Sequence, residues 1–202
     1  MTPPYWQEAI EYLAHRDSVM SSLITAYPDE ILTNINNPFH TLTRAVVGQQ
    51  ISIKAANRIW AKLTLKLPAI EPEYFLSLTE AELREIGLPQ QKIHYITNIA
   101  QALKQQILIP EQWQTMTDEA IIKQLKKIKG IGQWTSEMFL IFHLHRCDIL
   151  PLADLGLIKA IQHHYGRTSK AEIEKLAQHW KPYRTVATWY LWRSLDPVVV
   201  QY

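Results

Sequence analysis

The 202-residue chain has a single cysteine, Cys147, so no disulfide can form within it and a four-cysteine iron–sulfur cluster is excluded. A lone thiol fits a reducing compartment. Long apolar runs are missing as well: none approaches the roughly 18 residues of a membrane-spanning helix. The N-terminus, Met-Thr-Pro-Pro-Tyr-Trp, has neither a basic start nor the apolar core of an export signal. These absences predict an intracellular, soluble protein without membrane association. Strand-like alternation of useful length does not occur, and neither does a low-complexity tract or an obvious repeat, so connections are short turns. The net charge is only +2, so any contact with nucleic acid has to come from local clustering of cations. His163 and His164 are adjacent and the other histidines are scattered, without the i,i+4 pairing or cysteine partners of a zinc site. No catalytic metal is expected. No local signature of a Ser-His-Asp or Cys-His nucleophile appears either.

What is present is a 47% hydrophobic composition, enough for one compact unit or two small ones with a core of their own. Helix signals recur along its length. Starts are marked at Pro4, at Ser52, and at the capping boxes Thr79-x-x-Glu82 and Ser169-x-x-Glu172, and stops at Gly87 and Gly166. Ile53, Ala56, Ile59, Trp60 and Leu63 share one helical face. The predicted fold class is all-α.

The densest chemistry lies between Leu125 and Asp154. Thr117 is placed to cap a helix with Asp118 and Glu119 in its first turn and Ile121, Ile122, Leu125 and Ile128 on one face. Gly130 and Gly132 flank Ile131, which predicts a tight turn, with positive φ allowed and no Cβ in the way of an approaching molecule. A second helix is expected from Gln133 to Leu144. Its first amides, with Lys123, Lys126, Lys127 and Lys129 just upstream and no acid among them, suit a phosphate. The residues alone also fit a plain helix C-cap beside a solvated lysine face. Read the same way, Asp154 is an N-cap for a helix from Leu155 to Tyr165 and Trp134 a core side chain. Gln49 and Gln50 read as solvated turn residues, and Asp148 as a surface or capping acid.

Three blocks together carry a resemblance. Leu125, Ile128, Gly130, Ile131 and Gly132 stand in register with a Leu-x-x-Ile-x-Gly-Ile-Gly hairpin, followed by Pro151 and Asp154; Val46-Val47-Gly48-Gln49-Gln50-Ile51-Ser52 lies upstream and Trp180-Lys181-Pro182-Tyr183-Arg184, with Trp192, downstream. The pattern resembles the helix-hairpin-helix superfamily of base-excision DNA glycosylases, in its DNA-3-methyladenine glycosylase II branch. The resemblance implies two helical subdomains flanking a cleft. One would span 39–147, with the helix-hairpin-helix at about 118–144; the other would combine 1–38 with 148–202 and carry the catalytic acid.

The resemblance also implies roles. Asp154 becomes the catalytic carboxylate, since cleaving an N-glycosidic bond builds positive charge on the sugar that a carboxylate stabilises, or it deprotonates the attacking water. Ala153 stands where many relatives carry a second acid. Trp134 occupies the position of the lysine that forms a Schiff base in glycosylase-lyases, which implies a monofunctional hydrolase. Trp134, Met138 and Trp192 would line the base pocket, with indole faces attracting a cationic alkylpurine. Met138 and Arg193 depart from the best-known bacterial pattern, which bears on base specificity. Gln50 matches the wedge that fills the gap left by a flipped base. Lys127, Lys129, Gly130, Gly132, Gln133 and Thr135 would hold the DNA backbone. A monovalent sodium or potassium ion at the main-chain carbonyls of Lys126, Ile128 and Ile131 is the one structural ion implied, and no other cofactor is.

The expected activity is hydrolytic release of 3-methyladenine and 7-methylguanine from double-stranded DNA by a monomer, in the cytoplasm or nucleoid of a bacterium or the nucleus of a eukaryote. A noncatalytic helix-hairpin-helix DNA-binding module, a glycosylase for another lesion and a glycosylase-lyase are the alternatives.

Overall fold

The computed structural model describes residues 2–28, 31–33 and 35–195. Among these residues there are twelve α-helices, one short 3-10 turn and no strand. The all-α class follows from the density of caps. Thr79 and Ser169 each close a full capping box with Glu82 and Glu172, and the interlocked bonds hold the Glu82 carboxyl at about 2, below the usual range, with Lys66 adding to the effect. Gly87 and Gly166 end their helices in the left-handed conformation that a side chain would strain. No helix is long and apolar enough to cross a membrane among the described residues.

The chain divides into two compact units. The unit made of 35–139 contains α3 (Pro38–Gly48), α4 (Ile53–Lys66), α5 (Pro72–Ser77), α6 (Glu80–Ile86), α7 (Gln90–Lys104), α8 (Asp118–Leu125) and most of α9 (Gln133–Phe142). Helix α7 packs on α3, α5 and α6, and α4 on α3 and α6. Phe39, Leu42, Leu63, Phe75, Ile96 and Trp113 are buried there. On α4, Ala56 and Leu63 are buried as their spacing predicts, but Ile53 is 42% exposed: it occupies the first helical position, beside an exposed turn, where the predicted face has nothing to bury it.

The other unit joins 1–34 to 140–201. It holds α1 (Trp6–Arg16), α2 (Ser18–Ala26), α10 (Leu155–Tyr165), α11 (Lys170–Ala177) and α12 (Arg184–Leu195). Helices α10, α2 and α1 all pack on α12. Asp17 ties its parts together: Oδ1 caps α2 at the amides of Val19 and Met20, while Oδ2 accepts the Tyr165 hydroxyl and the Trp180 indole N–H, each at 2.9 Å.

Both divisions fall earlier than the positions 39 and 147 expected from the sequence. Asn37 already belongs with 35–139, because its side chain accepts the His40 amide and donates to Ile70 and Glu71. Residues 146–149 belong with the other unit, because the Thr185 hydroxyl donates to the Arg146 carbonyl and accepts the Ile149 amide, and the Thr185 amide donates to the Cys147 carbonyl. Helix α9 also stops at Phe142, short of Leu144.

Candidate nucleic-acid interface and catalytic acid

In the unit made of 35–139, Thr117 caps α8 as expected, accepting the Ala120 amide. The helix ends at Leu125. The chain then turns from Lys126 to Gly132 through short-range bonds, with the Ile128 amide on the Leu125 carbonyl and the Ile131 amide on the Ile128 carbonyl, both 3.0 Å. Ile128 and Ile131 are buried, anchoring the turn, whereas Lys123, Lys126, Lys127 and Lys129 are exposed.

The two glycines serve different ends. Gly130 has φ +105°, and a Cβ there would overlap the ring of Tyr95, so Gly130 is required by packing within the unit. Only Gly130 of the pair has positive φ. Gly132 is exposed, and a Cβ there would meet no atom within 4 Å, leaving room for another molecule against the backbone. Gly132 immediately precedes α9, and its carbonyl accepts the Ser136 amide and hydroxyl. Gln133 is exposed and spans Lys126 and Glu137.

Two sequence expectations need correction. Thr135 is only 2% exposed and its hydroxyl accepts Gln49 Nε2 at 2.8 Å, so its side chain is an internal brace and cannot reach a DNA phosphate. Met138 is 1% exposed; a methionine so enclosed has no surface to offer an incoming base. Trp134, on the first turn of α9, is half-buried.

In the turn between α3 and α4, Gln49 differs from the solvated turn residue expected from the sequence. Gln49 is half-buried, not solvated: its amide nitrogen donates to the Gly130 carbonyl at 3.1 Å as well as to Thr135. Its own carbonyl and that of Val47 each accept Lys92 Nζ at 2.8 Å. Burial pushes the pKa of Lys92 down, and the two carbonyls satisfy its ammonium. Gln50 follows, exposed and at φ +57°, a conformation uncommon for a residue with a Cβ and one that clusters at functional sites. Ser52 then caps α4.

In the unit joining 1–34 to 140–201, Asp154 caps α10, its Oδ1 accepting the Leu157 amide at 2.7 Å. The same oxygen accepts the indole N–H of Trp192 at 2.8 Å. Trp192 in turn stacks on Phe142, with centroids 5.8 Å apart and planes at 9°. Gly156 makes the arrangement possible, since a Cβ there would stand 3.1 Å from Asp154 Oδ1 and 3.4 Å from the indole. A half-buried carboxylate is thus fixed by two donors from different helices. Asp148 plays another part: Arg184 grips it with Nε and Nη2, making it an ion pair and not a cap. Arg193 is buried beneath Tyr27, its guanidinium carbon 5.2 Å from the ring centroid.

No cluster of three or more His, Cys, Asp or Glu able to hold a metal ion occurs among the described residues.

The sequence profile of the HhH-GPD superfamily, base excision DNA repair proteins, matches residues 43–183. The chain is 33% identical over 200 residues to the alkylbase DNA glycosidase-like protein mag2 of Schizosaccharomyces pombe, covering 93% of each. It is 33% identical over 166 residues to DNA-3-methyladenine glycosylase 1 of the same yeast, covering 78% of this chain and 72% of that one. The structure of the S. pombe 3-methyladenine DNA glycosylase Mag1, solved in complex with abasic DNA, superposes with a TM-score of 0.82 at 30% identity, covering 93% of this chain and 96% of that one. The chain belongs to the HhH-GPD superfamily of base excision DNA repair proteins.

Proposed function

We propose that this protein is a monofunctional DNA glycosylase that hydrolyses the N-glycosidic bond of alkylated purines, 3-methyladenine and 7-methylguanine, in duplex DNA. The observation that carries the reading is the double clamp on Asp154. A cap alone would need only the Leu157 amide; the bond from Trp192 fixes a carboxylate beyond what capping the helix requires. In the reaction the C1′–N bond breaks, the base leaves with the bonding electrons, water adds to C1′ and loses a proton, and an abasic site remains. A carboxylate held in place stabilises the positive charge on the sugar, or takes the proton from water, without reorganising. A base already cationic is a good leaving group, so one acid suffices. Trp134 in place of a Schiff-base lysine supports hydrolysis over the lyase reaction.

DNA binding is assigned to the hairpin, where Lys127, Lys129, Gly130, Gly132 and Gln133 would meet the phosphates of one strand. Trp192, beside Asp154, would offer an aromatic face to the base; Trp134, on α9, is a second aromatic candidate, and Gln50 would be the wedge. The carbonyls of Lys126, Ile128 and Ile131 are hard neutral donors suited to a sodium or potassium ion. The carbonyls of Lys129 and Gly130 are instead taken by Asn98 and Gln49, while that of Ile128, engaged by the Ile131 amide, keeps a second lone pair. Such an ion would neutralise phosphate charge. The protein would act as a monomer, in the bacterial cytoplasm and nucleoid or in the eukaryotic nucleus.

The test is incubation of the protein with methylated duplex DNA, with chromatography of released bases and borohydride added in parallel. Free 3-methyladenine or 7-methylguanine with no trapped protein–DNA adduct is the expected result. A trapped adduct would overturn hydrolysis, and DNA binding without any released base would overturn the glycosylase reading.

A further inference from the structure

We infer that Gln49 is a positioning residue that locks the wedge turn to the DNA-gripping hairpin, so that seizing the backbone and opening the base stack are one mechanical event. The inference rests on the proposed glycosylase reading. It starts from bonds that join segments far apart in sequence. Gln49 Nε2 reaches the Gly130 carbonyl and the Thr135 hydroxyl, one on the hairpin turn and one on the first turn of α9. Lys92, on α7, binds the carbonyls of Val47 and Gln49, closing the open end of α3. The turn that carries Gln50 is thus held from two sides immediately before that residue.

Three further observations fit a mechanical link and not a general brace. Gln50 is exposed and in the left-handed region, a strained setting that persists only when its neighbours determine it. Thr135 is buried, so its hydroxyl is reserved for Gln49 and shielded from competition by water. Gly130 is packed against Tyr95 and Lys129 is held by Asn98, both on α7, the helix that also supplies Lys92. Hairpin and wedge therefore share one support. Without Gln49 the hairpin keeps its lysines and still binds DNA, but Gln50 is no longer fixed relative to the strand being gripped.

The experiment uses the full chain with a duplex carrying 2-aminopurine beside a tetrahydrofuran abasic analogue, where unstacking raises fluorescence, together with single-turnover release of 7-methylguanine from methylated DNA. Gln49→Met keeps the side-chain size and removes the donor; Thr135→Val removes the acceptor. Each is expected to change the dissociation constant for DNA by less than about twofold while lowering the fluorescence rise and slowing base release about tenfold, or about 1.4 kcal/mol in barrier. The double variant should be no worse than Gln49→Met alone, because both break the same link. Thermal melting of each variant reports folding. Additive losses, or loss of DNA affinity in step with melting temperature, would mean a brace only and overturn the inference; so would full fluorescence in a folded Gln49→Met. The arms also separate the two readings. A wild-type fluorescence rise that Gln49→Met abolishes, with no base released by either, leaves the link standing and removes the glycosylase reading; no rise with the wild type removes the link.

Discussion

Trp192 donates its indole N–H to Asp154 Oδ1 at 2.8 Å, sharing that oxygen with the Leu157 amide. The bond joins the C-terminal half of α12 to the N-cap of α10, two helices that pack on each other. It turns an ordinary helix cap into a carboxylate of fixed orientation.

Replacing Trp192 by Phe keeps an aromatic face against Phe142 but removes the donor. A hydrogen bond to a charged group contributes about 1.5–3 kcal/mol, so the rate constant for 7-methylguanine release should fall at least about tenfold with DNA affinity nearly unchanged. Gly156→Ala should act in the same direction, since its Cβ would crowd both partners. Single-turnover kinetics check both; wild-type rates in Trp192→Phe would show that the bond is incidental.

The hairpin glycines should separate cleanly. Gly130→Ala has to overcome positive φ and the Tyr95 ring, and should cost about 2 kcal/mol or more of stability. Gly132→Ala meets open space and should melt like the wild type while binding DNA more weakly. Calorimetry with a parallel binding titration measures the pair. Equal melting temperatures for both variants would contradict the assignment.

Much of this arrangement is legible in the sequence because it is local. The Thr79 and Ser169 boxes, the Gly87 and Gly166 stops and the Asp154 cap each involve residues within a helical turn, and all form as written. The hairpin and the resemblance that led to Asp154 are likewise contiguous blocks. What the sequence does not reveal is long-range. Gln49 finds its partners more than 80 positions away, and Tyr95, the reason for Gly130, lies on another helix. Register alone points Met138 at a pocket, whereas burial decides what a side chain can touch. Ile53 shows the converse, an apolar residue at a helical spacing whose face has run out of core.

Exposed Lys127 and Lys129 should act through phosphates. Each alanine substitution is expected to weaken binding to any duplex alike and to reduce the slope of log K against log salt by about 0.9 per lost contact. Titrations at several salt concentrations test this; an unchanged slope would place these lysines outside the interface.

Acid should destabilise the fold well above the carboxylate range. Burial lowers His40, His143 and His145 to about 4, with Arg44 adding to the effect at His40 and His145 at His143. In the unfolded chain a histidine titrates near 6.5. The neutral rings therefore contribute stability that is fully present above pH 6.5 and lost as pH falls from 6.5 toward 4, where the unfolded state binds more protons. Melting temperature should drop steadily from pH 6.5 to 4.5; a flat profile across that window would contradict the burial of these rings.

In the proposed reaction Asp154 is the catalytic carboxylate and not only a cap. Asparagine caps helices as well as aspartate does and can still accept from Leu157 and Trp192, so Asp154→Asn should fold, melt and bind DNA like the wild type. The decisive measurement is release of 3-methyladenine and 7-methylguanine from methylated duplex DNA by the two proteins side by side. Release by the wild type and a loss of at least about a hundredfold in the variant are expected, as when a charge-stabilising group or general base is removed; equal release by both would contradict a catalytic role for Asp154.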